Sequence, residues 1–203
     1  MNANLFKYVG LTAFVISAVS QPATAAIISF NTLVGANGDP YLGSSEAGFT
    51  ITPTLGNWFQ GQIFGNPTPS IFAGPISSPS PSQINIVDST LPFTFAGVDL
   101  TSNTSLGTSY TIQGSFNGAL VLNQVVAPTT INTFQTFAST NPTQLLDKLT
   151  ILGTPGNGVS SFNIDNINVT KQVPVPEPFT IIGTLIGGMS AFKMRKKLKA
   201  TNN

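Results

Sequence analysis

The strongest constraint on this chain is a rhythm. Short runs of β-branched and aromatic residues recur along its middle, and each is closed by Gly, Pro, Asn, Ser or Asp. They are Ile27–Val34, Gly48–Pro53, Asn57–Phe64, Ile84–Val87, Phe93–Leu100, Ser109–Phe116, Ala119–Val126, Ile131–Ala138, Leu145–Leu152 and Ser161–Val169. About ten strands of this length, separated by turn residues, predict a sandwich or barrel. Apart from the two ends and the short stretch Thr143–Lys148, no segment shows a helical period. No internal repeat points to a solenoid or propeller. The sequence predicts an all-β, jelly-roll-like sandwich over residues 27–171, with Pro67–Ser82 as a Pro/Ser-rich loop.

Local patterns sharpen this. In Phe93–Leu100, Phe93 and Phe95 alternate onto one face while Val98 and Leu100 fall on the other. In Ser161–Val169, Phe162 and Ile164 are out of step with Ile167 and Val169 in the same way. A one-residue bulge in each restores a single buried face, and these bulges are expected at Ala96-Gly97 and Asp165-Asn166. Between Ser109–Phe116 and Ala119–Val126, Asn117-Gly118 prefers a two-residue type I′ turn. A three-residue loop, Asn117 to Ala119, would instead place Leu120 and Leu122 beside Phe116 and Gly114. Burial of two leucines outweighs a turn preference, so the longer loop is expected.

Composition limits the chemistry. Charged residues are 7% of the chain, against about 25% in typical domains, yet hydrophobic content of 41% is that of a folding chain. Five of the eight basic residues lie in the C-terminal tail. The middle keeps Lys148 and Lys171 against Asp39, Glu46, Asp88, Asp99, Asp147 and Asp165, or 2 − 6 = −4. A weakly acidic domain offers no basic track for phosphates, so nucleic acid is not an expected partner. With no His and no Cys, Ser-His-Asp and Cys-His catalysis and His/Cys zinc sites are excluded. The chain is read as non-enzymatic. A carboxylate-pair glycoside hydrolase is the remaining catalytic alternative and requires two acids within about 5–10 Å in a cleft.

Two candidate binding sets remain. Trp58, with Gln60 and Asn57, can form a sugar-stacking platform; the competing reading places this lone Trp in the core. Oxygen-rich turns suit calcium, with Asp39 and Asp165 as candidate ligands; the competing reading makes Asn37–Pro40 a simple turn and Asp165 a bulge residue. No other cofactor is expected.

The ends carry addresses. Lys7, the apolar run Tyr8–Val19, Pro22 and the small residues Ala23, Ala25 and Ala26 read as a signal peptide over 1–26, with cleavage by signal peptidase after Ala25 or Ala26. A linker, 172–178, leads to an apolar segment, 179–192. As a helix that segment reaches about 21 Å and is expected to cross the membrane with help from snorkelling basic stems. A basic tail, 193–203, follows, and Lys193, Arg195, Lys196, Lys197 and Lys199 would hold it on the cytoplasmic side.

Pro176-Glu177-Pro178, then the apolar segment, then the basic cluster resembles the PEP-CTERM sorting signal of bacterial exported proteins. Phe179 stands where Ser or Thr often follows the tripeptide. The resemblance implies recognition by an exosortase, through Pro176, Glu177 and Pro178. It also implies an inner-membrane intermediate, and delivery to the cell surface or extracellular matrix of a Gram-negative bacterium, often one that makes exopolysaccharide. The ending Phe162–Val169 resembles the last strand of carbohydrate-binding-like jelly rolls. The reading that follows is a surface or matrix protein with a structural or adhesive role. The alternative is a carbohydrate-binding module for exopolysaccharide.

Overall fold

The computed structural model describes residues 23–74 and 80–172. Residues 1–22 of the expected signal peptide, the sorting motif, the membrane segment and the basic tail lie outside these. The described chain is all-β, a jelly-roll-like sandwich of two antiparallel sheets. Its strands are β1 (Thr24–Ile28), β2 (Ser44–Glu46), β3 (Phe49–Leu55), β4 (Trp58–Gly61), β5 (Ser70–Ala73) and β6 (Ser82–Val87). They continue with β7 (Phe93–Asn103), β8 (Ser109–Phe116), β9 (Ala119–Val126), β10 (Gln135–Ala138), β11 (Lys148–Thr154) and β12 (Ser161–Lys171).

One sheet runs β10-β7-β12-β5-β4, and β1 also pairs with β12. The other runs β2-β3-β6-β11-β8-β9. The long strand β12 organises the first sheet. Its whole length pairs with β7, while its opposite edge is shared by β5 at Phe162–Ile164 and β1 at Ile167–Lys171. The expected cleavage point therefore lies within β1: Ala25 faces Thr170 and Ala26 faces Val169, whereas Ile27 and Ile28 pair further on with Asn168 and Ile167.

Both expected bulges form. Val169 faces Phe95 and Asn168 faces Gly97, so Ala96 is the extra residue on β7. Between Asp165–Asp99 and Asn168–Gly97, β12 has one residue more than its partner, and Asn166 takes φ +45°. Phe93, Phe95, Val98 and Leu100, with Phe162, Ile164, Ile167 and Val169, all end in one core. The sheets approach so closely at β11 that a Cβ on Gly153 would overlap the Phe162 ring.

The β8–β9 hairpin corrects the sequence expectation. Asn117 and Gly118 take φ +51° and +78°, and Phe116 faces Ala119, which is the two-residue turn. A bulge one pair further on brings Leu122 opposite Gly114. Leu122 is buried while Leu120 stays 59% exposed. The register changes inside the strand rather than in the loop, so the turn preference and the burial of one leucine are both met.

Two strands were missed. β2 is only three residues long, and β5 falls inside the stretch read as a Pro/Ser-rich loop. At the far end of β12, Lys171 pairs with Asp88 at 2.6 Å and lies 4.8 Å from the centre of the Phe49 ring.

Candidate ligand-binding groove

Strict alternation along β12 sends Phe162 and Ile164 into the core and Ser161, Asn163 and Asp165 to the outer face of the first sheet. On β7 their partners Asn103, Thr101 and Asp99 share that face. Beside Asn163, β5 contributes Phe72. Amides and hydroxyls here bond to one another: Asn103 Nδ2 donates to Asn163 Oδ1 at 2.7 Å and to Ser161 Oγ at 2.8 Å. Asn163 Nδ2 donates to Ser70 Oγ at 2.9 Å. Ser70 Oγ in turn donates to the Phe64 carbonyl at 2.6 Å.

The last bond belongs to the β4–β5 connection, residues 62–69, which folds back over the sheet. Its Asn66 is held by two carboxylates: the main-chain N–H donates to Asp165 Oδ2 at 2.6 Å and Nδ2 donates to Asp99 Oδ2 at 3.0 Å. Phe64 stacks on Phe134 from the β9–β10 connection, centroids 5.2 Å apart, and Phe72 stacks on Phe59 at 5.3 Å.

Between this loop and the sheet lies a groove of about 320 Å³. Its apolar surface comes from Ile63, Phe64 and Phe72, and its polar surface from Asn37, Asn103, Asn132, Asn163 and Ser161. Among the described residues, no Asp, Glu, Lys or Arg lines it. Asn37 arrives on a turn joined to β4 through Gly38 N–H and the Gln60 carbonyl, 2.9 Å. Asn132 arrives from the other side, its main-chain N–H on the Ser102 carbonyl at 2.9 Å. A cavity of this size, largely apolar with a few convergent amides, suits a small neutral ligand with both polar and apolar faces.

Asp99 and Asp165 face each other across β7 and β12 and are buried. Asp99 accepts from Thr136 Oγ1 at 2.5 Å and from Asn166 Nδ2 at 2.9 Å. Asn166 Nδ2 also donates to the Asn66 carbonyl, and its main-chain N–H donates to Asp165 Oδ1 at 2.8 Å. Burial pushes the Asp165 carboxyl up to about 7; the N–H groups of Asn66 and Asn166 pull against this, and the Asp99 carboxylate adds to it. This pair latches the loop and does not line the groove.

The sequence candidates fall elsewhere. Trp58 is 3% exposed and packs edge-on against Phe162 at 5.9 Å, its indole N–H on the Leu55 carbonyl. It is core, not a stacking platform, because it lies opposite Ala73 on the inward face of β4. Gln60 shares that inward side, its Oε1 accepting from Gly35 N–H at 3.0 Å, and Asn57 is exposed in the connection between β3 and β4. None of the three lines the groove.

Nor do Asp39 and Asp165 share hydrogen-bonding partners. Asp39 accepts from Ala36 N–H within its own turn, while Asp165 joins Asp99. No group of three or more acidic side chains placed to hold a metal occurs among the described residues.

The sequence reasoning missed Asn103, Asn132, Asn163, Phe64 and Phe72 as site residues. The alternation Ser161-Phe162-Asn163-Ile164-Asp165 already signals a polar outer face. Phe72 carried no such signal, being hidden in the supposed loop.

No protein-family model matches the chain, and no curated protein matches it. Among solved structures, it is similar to a DUF4465 family protein from Bacteroides caccae, with 11% identity and a TM-score of 0.47 over 73% of this chain and all of that one. It is also similar to TmCBM61 in complex with β-1,4-galactotriose, with 9% identity and a TM-score of 0.44 over 68% of this chain and all of that one. A third is the family 32 carbohydrate-binding module of NanJ from C. perfringens in complex with galactose, with 18% identity and a TM-score of 0.42 over 61% of this chain and 97% of that one.

Proposed function

We propose that this domain binds a neutral polysaccharide in the groove on the outer face of its first sheet. The observation that carries the reading is the lining itself: amides and a hydroxyl set around phenylalanine rings, without a charged side chain among the described residues. Sugars present the same two surfaces, with equatorial hydroxyls around a weakly apolar ring face. Stacking of Phe64 and Phe72 on Phe134 and Phe59 holds the rings in place before a ligand arrives, which reduces the ordering cost of binding.

Hydrolysis finds no support in this geometry. The paired carboxylates are bonded to Asn66, Asn166 and Thr136, beneath the loop and outside the groove lining.

The signals at the two ends support export by signal peptidase and sorting by an exosortase. In that setting a polysaccharide-binding domain is adhesive, tying the protein to exopolysaccharide at the surface or in the matrix.

Affinity electrophoresis of the full chain through gels containing neutral glucan, galactan or mannan tests the reading. Retardation by at least one of them is expected. Phe72→Ala is expected to weaken it by about tenfold or more, as removal of a ring contact worth about 1.5–3 kcal/mol implies. An unchanged urea midpoint in that variant would show that the loss is one of binding. Equal retardation of wild type and variant would move the ligand off this groove.

A further inference from the structure

We propose that the β4–β5 connection is a proton-controlled latch on the groove. It closes while the Asp99–Asp165 pair holds one proton and lifts when both carboxylates are charged, so that polysaccharide is held at acidic pH and released at alkaline pH. The inference rests on the polysaccharide-binding reading and adds a regulation of that same site.

Groove wall and latch are one piece of chain. Within residues 62–69, Asn66 reaches the sheet beneath at three points. Its main-chain N–H donates to Asp165, its Nδ2 donates to Asp99, and its carbonyl accepts from Asn166 Nδ2. Two residues earlier, Phe64 lines the groove beside Ile63. Its carbonyl is held by Ser70 and its ring by Phe134. Lifting Asn66 therefore draws Ile63 and Phe64 away from the sheet.

The two carboxylates are buried and face each other across β7 and β12. Asp165 accepts from the main-chain N–H groups of Asn66 and Asn166. Asp99 accepts from Asn66 Nδ2, Asn166 Nδ2 and Thr136 Oγ1. These donors stabilise one negative charge. A second charge on the facing carboxylate adds repulsion, and burial denies it the water that would screen it.

No cation among the described residues relieves the pair. Lys171 is bonded to Asp88, and Lys148 opens β11 in the other sheet. The strands beside β12, namely β1 and β5, carry no charged side chain, and β10 brings Thr136. Glu46, bonded to Ser29 and the Phe30 N–H, adds a further negative field at Asp165.

With the connection lifted, water reaches both carboxyls, and in water both ionise near pH 4. The latched form thus keeps a proton that the lifted form has released, so rising pH drives the latch open. Burial holds the Asp165 carboxyl at about 7 in the latched form, which places the change around neutrality. A sugar in the groove meets Ile63 and Phe64 while the connection is down. Proton and sugar therefore favour the same state, and each strengthens the binding of the other.

The first test needs no ligand. Amide resonances of Phe64, Asn66 and Asn166 are followed in the isotope-labelled full chain as pH is raised from about 5 to about 9. One common transition with a midpoint near 7 is expected, with loss of the nuclear Overhauser contact between the Phe64 and Phe134 rings on its alkaline side. The second test is calorimetry with neutral glucan, galactan or mannan, whichever retards the chain in the gels. These polymers do not titrate in this range, so a pH dependence belongs to the protein. Binding is expected to be about tenfold weaker on the alkaline side of the transition. Asp165→Asn should abolish both the transition and the difference in affinity. Asp99→Asn, which removes the neighbouring charge, should move the midpoint to lower pH. A still Asn66 amide, or a transition unchanged in both variants, would overturn the latch. A moving Asn66 with equal affinity on both sides would overturn its control of binding. A transition at Asn66 without binding to any of the three polymers would support the latch and count against the polysaccharide reading.

Discussion

Replacing Tyr110 by alanine is expected to remove about 3–5 kcal/mol of folding stability. Tyr110 belongs to β8 in the second sheet, is fully buried, and meets the Phe162 ring edge-on at 5.6 Å. Its hydroxyl reaches across the sandwich to the main-chain carbonyls of Thr101 at 2.7 Å and Asn163 at 3.0 Å. Those two residues face each other across β7 and β12, and they turn their side chains to the groove face. One hydroxyl hydrogen shared by two carbonyls thus joins the core to the floor of the groove. Alanine leaves a cavity against Phe162 and removes that bond. Phenylalanine removes only the bond, with an expected loss of about 1–1.5 kcal/mol. Urea unfolding of the three proteins separates the terms. A loss below about 1 kcal/mol for the alanine variant would contradict the cross-sheet role.

The second large effect is a dependence on pH. Asp165 has its carboxyl raised from 3.8 to about 7, chiefly by burial. Below about pH 4 it is protonated in both folded and unfolded chains and contributes no difference. As pH rises from 4 to 7 the unfolded chain releases this proton while the folded chain keeps it, so stability falls. The expected loss is about 4 kcal/mol, nearly all of it by pH 7, and it levels off as pH rises through the folded-state value.

Asp88 acts in the opposite sense. Burial alone would raise its carboxyl, but the bonds from Lys171, Thr90 and Leu91 overcome this and hold it at about 2. Its contribution, about 2 kcal/mol, is complete above 3.8 and is lost as pH falls toward 2. Maximum stability is therefore expected near pH 4. Melting temperatures from pH 2 to 8 should rise and then fall around that point. Asp165→Asn should flatten the arm between pH 4 and 7 and leave the acid arm intact. An unchanged slope in that variant would show that the burial of Asp165 is not its source.

Much of this architecture can be read from alternation alone. The phase changes at Ala96 and Asp165-Asn166 are visible because a strand with two buried halves out of step has only one economical repair. Trp58 could not be placed in this way. Period 2 puts it on one of two faces, and only the pairing with Ala73 and the approach of Phe162 make that face the core. The groove was hidden for a related reason. Its floor combines strands from three distant stretches of chain, β12, β7 and β5, while Asn37, Asn132 and Phe64 enter from connections. Such a site depends on strand order, which no local pattern encodes. The β8–β9 hairpin differs for a third reason: in the sequence turn preference and leucine burial compete, and a bulge at Val121 satisfies the turn and buries Leu122.

The most direct test of the central claim is a titration of the isotope-labelled full chain with the neutral oligosaccharide that binds best, followed in amide and side-chain NH2 resonances. The side-chain amides of Asn37, Asn132 and Asn163 and the main chain around Phe72 are expected to shift together and saturably. The Trp58 indole N–H, on the core side of the same sheet, should remain still. Shifts confined to the outer face of the second sheet, or a moving Trp58 with silent asparagines, would contradict the assignment of the groove as the binding site.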